Sequence, residues 1–260
     1  MSDKPAEQDK VIDDTWLALR RHTAARIALG RSGASLPTRE LLAFGAAHAQ
    51  ARDAVHDPLD VEALSQALVS LGLPLLQVTS AAEDRAAYLV RPDWGRRLSA
   101  ASRASVEQAR SENGFDLVFV ITDGLSATGV QQQAPGFLAA LLPLLADRYS
   151  IAPLVIAWQG RVALADEVGD LLQARLALSL IGERPGLSSA DSLGVYITWA
   201  PKIGRSDAER NCISNVRPRG LALDQAARQT AALIRAALDA GTSGVALRFD
   251  AGSLPALTQK

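Results

Sequence analysis

The chain has 260 residues, 48% hydrophobic and 21% charged, with a formal net charge of -1, a balance that fits a globular protein with one substantial core and gives no electrostatic reason to bind nucleic acid or an anionic membrane. Its longest apolar stretch, Phe137 to Ala146, is about half as long as a bilayer span and contains Pro143, so no membrane helix is expected. A single cysteine, Cys212, excludes an intramolecular disulfide framework and fits a reducing cytoplasm, and the N-terminus has no apolar signal core.

The first quarter of the chain reads as helical. Asp13 to Gly30 sets Trp16, Leu17, Ile27 and Leu29 against Arg20, Arg21 and Arg26, with Gly30 placed as a C-cap. A second helix is expected from Thr38 to Val55, after Pro37, and a third from Val61 to Leu71. The pattern then changes, dividing the chain into a helical N-terminal region, 1–72, and an α/β region, 73–260. Leu73 to Ser80 suits a short strand, and the segment from Ala86 passes through a Pro-Asp-Trp-Gly turn into a helix reaching about Arg110.

The remainder is more regular. Phe115 to Thr122, Ala152 to Trp158 and Leu176 to Gly182 are continuous apolar runs of strand length, separated by helical segments near Pro135 to Asp147 and Ala163 to Ala174. Apolar strands alternating with helices indicate an α/β fold, a Rossmann-like, mostly parallel sheet with helices on both faces, preceded by the helical region. Gly194 to Ala200 follows after a loop too short for a crossover helix, so it should lie antiparallel at or near an edge. The last helix runs from about Leu223 to Ala240.

In such a sheet, ligands bind beyond the carboxyl ends of the parallel strands. Three glycine-bearing polar loops stand there: Asp123 to Gly129, Gln159 to Leu164, and Glu183 to Ser189. Each also has a plain structural reading: Asp123-Gly124 as a turn with Ser126 as a helix cap, Gly160 as a tight turn, and Glu183-Arg184 as a solvated pair. Neither a dinucleotide fingerprint nor a phosphate-binding loop of the G-x-x-x-x-G-K type is present. The three histidines, His22, His48 and His56, all fall in the first quarter, which leaves little basis for a histidine-dependent triad or zinc site elsewhere. Cys212 reads either as a small buried hydrophobe or, given Glu209, Arg210, Asn211, Ser214 and Asn215 around it, as a ligand contact in a polar loop. A self-sufficient enzyme using Asp123, Ser126 or Cys212 and a scaffold without ligand are the alternatives these residues leave open.

Six segments in order, "ARIALGRSGASLPT", "YLVRPDWGRRL", "VITDGLSA", "GRVALADEVGD", "IGERPGLSSADSLGVY" and "AERNCISNVRP", resemble the small subunit of adenosylcobalamin-dependent ethanolamine ammonia-lyase, over nearly the whole chain from about Leu17 to Leu247. The resemblance implies a subunit that closes over base-on adenosylcobalamin while a TIM-barrel large subunit converts ethanolamine to acetaldehyde and ammonia by radical chemistry, in a heteromer of paired large and small subunits. It implies cofactor contacts at Val162, Glu183 and Cys212, with Val162 limited to a backbone hydrogen bond. Arg161 and Arg184 are added as phosphate or amide partners, and the leading helices as the surface that docks on the large subunit. Enteric-type relatives carry a longer N-terminal segment resembling a microcompartment targeting extension. Here only about a dozen polar residues precede the first expected helix, so a cytoplasmic complex is expected and encapsulation is not.

Overall fold

In the computed structural model, which describes residues 11–145 and 148–248, the apolar runs form the centre of a single six-stranded sheet. Its strands are β1 (Leu75–Thr79), β2 (Phe115–Thr122), β3 (Leu154–Trp158), β4 (Ala174–Gly182), β5 (Leu193–Trp199) and β6 (Arg210–Val216), in the order β1-β3-β2-β4-β5-β6. The first four are parallel, and β5 and β6 extend them antiparallel. The sheet is therefore mixed α/β rather than purely parallel. β5 is antiparallel and one strand in from the edge.

The helices are α1 (Thr38–His56), α2 (Val61–Val69), α3 (Arg85–Val90), α4 (Ala100–Gln108), α5 (Ala127–Leu145), α6 (Leu164–Leu171) and α7 (Leu223–Ala240). On one face, Leu117, Phe119, Ile121, Ile156, Leu178, Leu180, Val195 and Ile197 pack under α2, α5 and α7. On the other, Val118, Val120, Val155 and Ala177 pack under α4 and α6 through Val106, Leu164 and Val168. This second layer stops at β4. Strands β5 and β6 were reached by loops instead of crossover helices, so no helix was laid over that side of them.

Three expectations need correction. Residues 13–30 form no α-helix, only a 3-10 turn over Leu17–His22, and Gly30, at φ +76°, flanks an Ile12–Arg31 bridge instead of capping a helix. Trp16, Leu17 and Leu19 are exposed, and a short helix whose apolar face covers nothing lacks the packing that would hold it. Helix α5 begins at Ala127, well before Pro135, and carries Pro135 and Pro143 inside it, held by the fully buried Phe137, Leu138 and Leu141; the end expected at Asp147 lies outside the described residues.

Cys212 lies on a strand, not in a loop. Strand β6 escapes a period-two reading because a bulge opposite Leu193–Val195 inserts an extra residue, leaving Ile213 and Val216, three apart, both buried. Leu59, Val61, Leu64 and Leu68 belong to the same apolar cluster as the buried residues of α5. Among the described residues no helix is long and apolar enough to cross a membrane.

Candidate functional site

The carboxyl ends of β2, β3 and β4 open into a cleft of about 1220 Å³, bounded by Gly124, by Arg161–Ala163 and by Gly182–Arg184. The Trp94–Arg97 turn and the β5–β6 connection at Ile203–Asp207 complete its walls, and Tyr196 of β5 also faces it. The volume exceeds the roughly 300–1,000 Å³ usual for small-molecule sites. It lies on the side where β5 has no helix above it.

The loops around it are held by bonds among themselves. Leu125 N-H donates to the Gly182 carbonyl at 3.0 Å, joining the loops after β2 and β4. A side chain at Gly182 would run into the carbonyls of Ser126 and Asp123, so only glycine permits this approach. Asp123 is buried beneath the loop and paired with Arg85 at 3.0 Å, and Arg85 also donates to the Gly124 carbonyl at 2.9 Å. Burial pushes the Asp123 carboxyl up to about 6, against the opposing pull of Arg85. Ser126 Oγ accepts from Gly129 N-H at 3.2 Å as the cap of α5 and donates to the Ala190 carbonyl at 2.6 Å. Asp123 and Ser126 are thus engaged in shaping the loop, and no histidine lines the cleft.

The wall after β3 presents the start of α6. Ala163, at its N-cap, offers no side-chain acceptor, and among the described residues nothing accepts the N-H groups of Val162 or Ala163. Both acids in the first turn anchor the helix sideways. Asp166 meets Arg210 of β6, while Glu167 accepts from Arg103 at 2.8 Å, Arg97 at 3.1 Å and Leu98 N-H at 2.9 Å. These bonds fix α6 between α4 and the sheet edge.

Arg161 lies against Tyr88, its guanidinium carbon 4.2 Å from the ring centroid, and its backbone N-H donates to the Gly95 carbonyl at 2.7 Å. Its Nε is buried without a hydrogen-bond partner. Tyr88 is fully buried and donates to the Gly160 carbonyl at 3.1 Å; burial holds its phenol well above the ordinary value, so it stays a donor. Across the cleft, Glu183 reaches over Gly194, where Oε2 accepts from Asn215 N-H at 3.1 Å. Arg184 is exposed, and the two neighbours form no ion pair among the described residues, so the solvated-pair reading does not describe them.

Arg161, Val162, Glu183 and Arg184 therefore line one cleft, and Cys212 does not. Cys212 is exposed on β6, directly across from Tyr196 in the antiparallel register. Cover from its neighbours, together with the nearby Glu183 carboxylate, pushes the thiol up against hydrogen bonds to Tyr196 and Ser214, which favours its protonated form over an activated nucleophile. Sequence reasoning missed Tyr88, Arg96 and Tyr196 as cleft residues. The Pro-Asp-Trp-Gly turn was the available signal for the first two, since it folds back over Arg161; nothing local marks Tyr196.

A family model described as ethanolamine ammonia-lyase light chain (EutC) matches residues 13–248. Among curated proteins, the ethanolamine ammonia-lyase small subunit of Azotobacter vinelandii is 52% identical over 249 residues, covering 95% of this chain and 92% of the relative. Those of Pseudomonas aeruginosa, 52% identical over 246 residues with 94% and 90% covered, and of Ralstonia nicotianae, 52% identical over 250 residues with 95% and 92% covered, are similar to the same extent.

Proposed function

Since the chain belongs to the ethanolamine ammonia-lyase light-chain family, as the small subunit of a carbon-nitrogen lyase, we propose that its strand-end cleft is one wall of the adenosylcobalamin pocket. The observation that carries this reading is the pairing, in one open-sided cleft, of unused donors on the α6 side with a carboxylate on the β4 side. A corrin bears neutral amides that both donate and accept, and its nucleotide tail bears a phosphodiester that only accepts, so a complementary surface needs scattered donors and acceptors without strong acid or base. The Val162 and Ala163 N-H groups and the cleft-lining Arg161 side chain supply donors, and Glu183 Oε1 supplies an acceptor. The residues fit the group.

When bound, the cofactor supplies the radical chemistry that turns ethanolamine into acetaldehyde and ammonia. This chain's residues bind and orient. Glu183 accepts from amide N-H groups, Val162 donates through its backbone, Arg161 and Arg184 donate to amide or phosphate oxygens, and Cys212 with Tyr196 forms the outer margin on β5 and β6. No histidine lines the cleft, so base-on adenosylcobalamin, which would bring its own benzimidazole, would ask these residues only for amide and phosphate contacts.

In this reading the Rossmann-like part of the chain, 73–260, faces the cofactor, and the region 1–72 docks on a TIM-barrel large subunit in a heteromer of paired subunits. Exposed Trp16, Leu41, Leu42 and Phe44 support that docking role, because apolar groups of this size left in water favour a partner. We place the complex in the cytoplasm, a compartment compatible with a lone exposed thiol.

The test is acetaldehyde release from ethanolamine and adenosylcobalamin by a purified family large subunit, with and without this chain. Turnover only in the mixture supports the reading. A large subunit equally active alone overturns it.

A further inference from the structure

Resting on the docking and pocket readings above, we propose that Arg85 is a positioning residue for the cofactor wall: it fixes the loop after β2 to the end of α1, so that the seat of α1 on the large subunit decides how that side of the cleft is presented to the cofactor.

One guanidinium makes both attachments. Its Nε donates to the Val55 carbonyl at 2.7 Å, and its Nη1 donates to Asp123 Oδ2 at 3.0 Å and to the Gly124 carbonyl at 2.9 Å. Val55 stands in the last turn of α1, where carbonyls have no partner within the helix and the helix dipole favours a cation. Asp123 and Gly124 belong to the loop after β2, and Gly124 lines the cleft. The guanidinium is planar, so the groups bound to it are held at a fixed spacing, and the Arg85 side chain is only 16% exposed, so water competes little for them.

Apolar packing secures α1 only weakly. Of its 19 residues only Ala47 and Ala54 are buried, and neither belongs to the apolar clusters on the two faces of the sheet. Two methyl groups bury little area, which gives a charge-assisted bond at Val55 more weight in placing the helix. Leu41, Leu42 and Phe44, the exposed apolar groups of the docking side, lie about three turns or more before Val55 on the same helix, a rigid element able to carry a displacement from one end to the other. On the cleft side the hold extends further. Arg85 shares α3 with Tyr88, whose ring centroid lies 4.9 Å from the Arg85 guanidinium carbon and 4.2 Å from that of the cleft-lining Arg161, and whose hydroxyl donates to the Gly160 carbonyl. The loops after β2 and β3 are therefore both fastened through α3.

The experiment titrates the purified large subunit with this chain by calorimetry, with and without saturating cyanocobalamin, and takes the ratio of the two affinities. In the parent the corrinoid should tighten assembly about fivefold or more. Arg85→Lys keeps a positive charge beside Asp123 but offers one nitrogen on a flexible stem in place of a planar fork, so it does not hold both sides at a fixed spacing. Arg85→Gln combined with Asp123→Asn removes the tie and leaves no buried charge unpaired. The ratio should fall about threefold or more in both, while the affinity without corrinoid stays within about twofold of the parent. An unchanged ratio in both variants overturns the role of Arg85, because an arginine that only stabilises the fold would weaken the two affinities alike. Should neither variant fold, the parent decides: the Leu125 and Ser126 amides of the loop after β2 should exchange hydrogen more slowly once the large subunit is bound without corrinoid, and unchanged exchange overturns the proposal. A parent ratio of one instead overturns the pocket reading on which the role of Arg85 rests.

Discussion

Arg210 sets two nitrogens on the two carboxylate oxygens of Asp166, at 2.6 and 2.7 Å, with both side chains at most 2% exposed. The same guanidinium donates to Thr198 Oγ1 at 2.8 Å and to the Arg205 carbonyl at 2.9 Å, so one buried cation joins α6, β5, β6 and the β5–β6 connection. Asp166→Ala leaves that buried cation with only the fully exposed Asp207, 3.5 Å from its Nε, and should cost about 3–5 kcal/mol in urea unfolding. Replacing both partners with apolar residues of similar volume should cost clearly less; equal losses would mean that the pair does not act as a unit.

Asp123 gives a pH signature. Its folded-state carboxyl lies near 6, above the ordinary value of 3.8, so the folded state binds the proton more tightly than the unfolded one. Its stabilising contribution is complete below about pH 4 and is lost as the pH rises through 6. Relative to Asp123→Asn, the parent should lose roughly 2 kcal/mol between pH 4.5 and 7.5, read from unfolding free energies at those two values. A constant difference would remove Asp123 as the source.

Gly182→Ala places a methyl group against the Ser126 and Asp123 carbonyls, which are backbone and cannot swing aside. A loss of about 1–3 kcal/mol or more is expected, with separation of the loops after β2 and β4. In the reconstituted complex, cobalamin affinity should fall further than the stability loss alone would cause, measured below the unfolding transition. Gly33→Ala, in open space at φ +61°, provides the comparison for a glycine strained only in its backbone.

Cys212 should react with iodoacetamide more slowly than a free thiol at pH 8, because its pKa is raised and its thiolate fraction is correspondingly smaller. Loading the assembled complex with cobalamin should slow it further. Alkylation unchanged by the cofactor would move the pocket margin away from β6.

The central fold was legible wherever both faces of a strand are buried. Phe115–Thr122 matched its expected bounds because six consecutive fully packed positions leave no other reading. The loops that carry Arg161, Val162, Glu183 and Arg184 could be nominated because strand ends locate a cleft before any side chain is placed, while Val162 and Glu183 themselves were singled out as cofactor contacts only by the family resemblance. What failed to show was set by contacts distant in sequence. The β6 bulge disguises a strand as a polar loop, and the helix pattern of residues 13–30 carries no sign that nothing packs on it.

The second layer of helices ends at β4, and that unfinished roof has a thermodynamic consequence. A molecule resting on one wall gains only part of the burial and bonding that a closed site would give, and the remainder must come from a second surface laid over it. Capture of the molecule and arrival of that surface then form a single linked equilibrium, each tightening the other by the same factor. On the pocket reading proposed above, dilution of either loosens both, and the apparent dissociation constant of the cofactor becomes a function of large-subunit concentration.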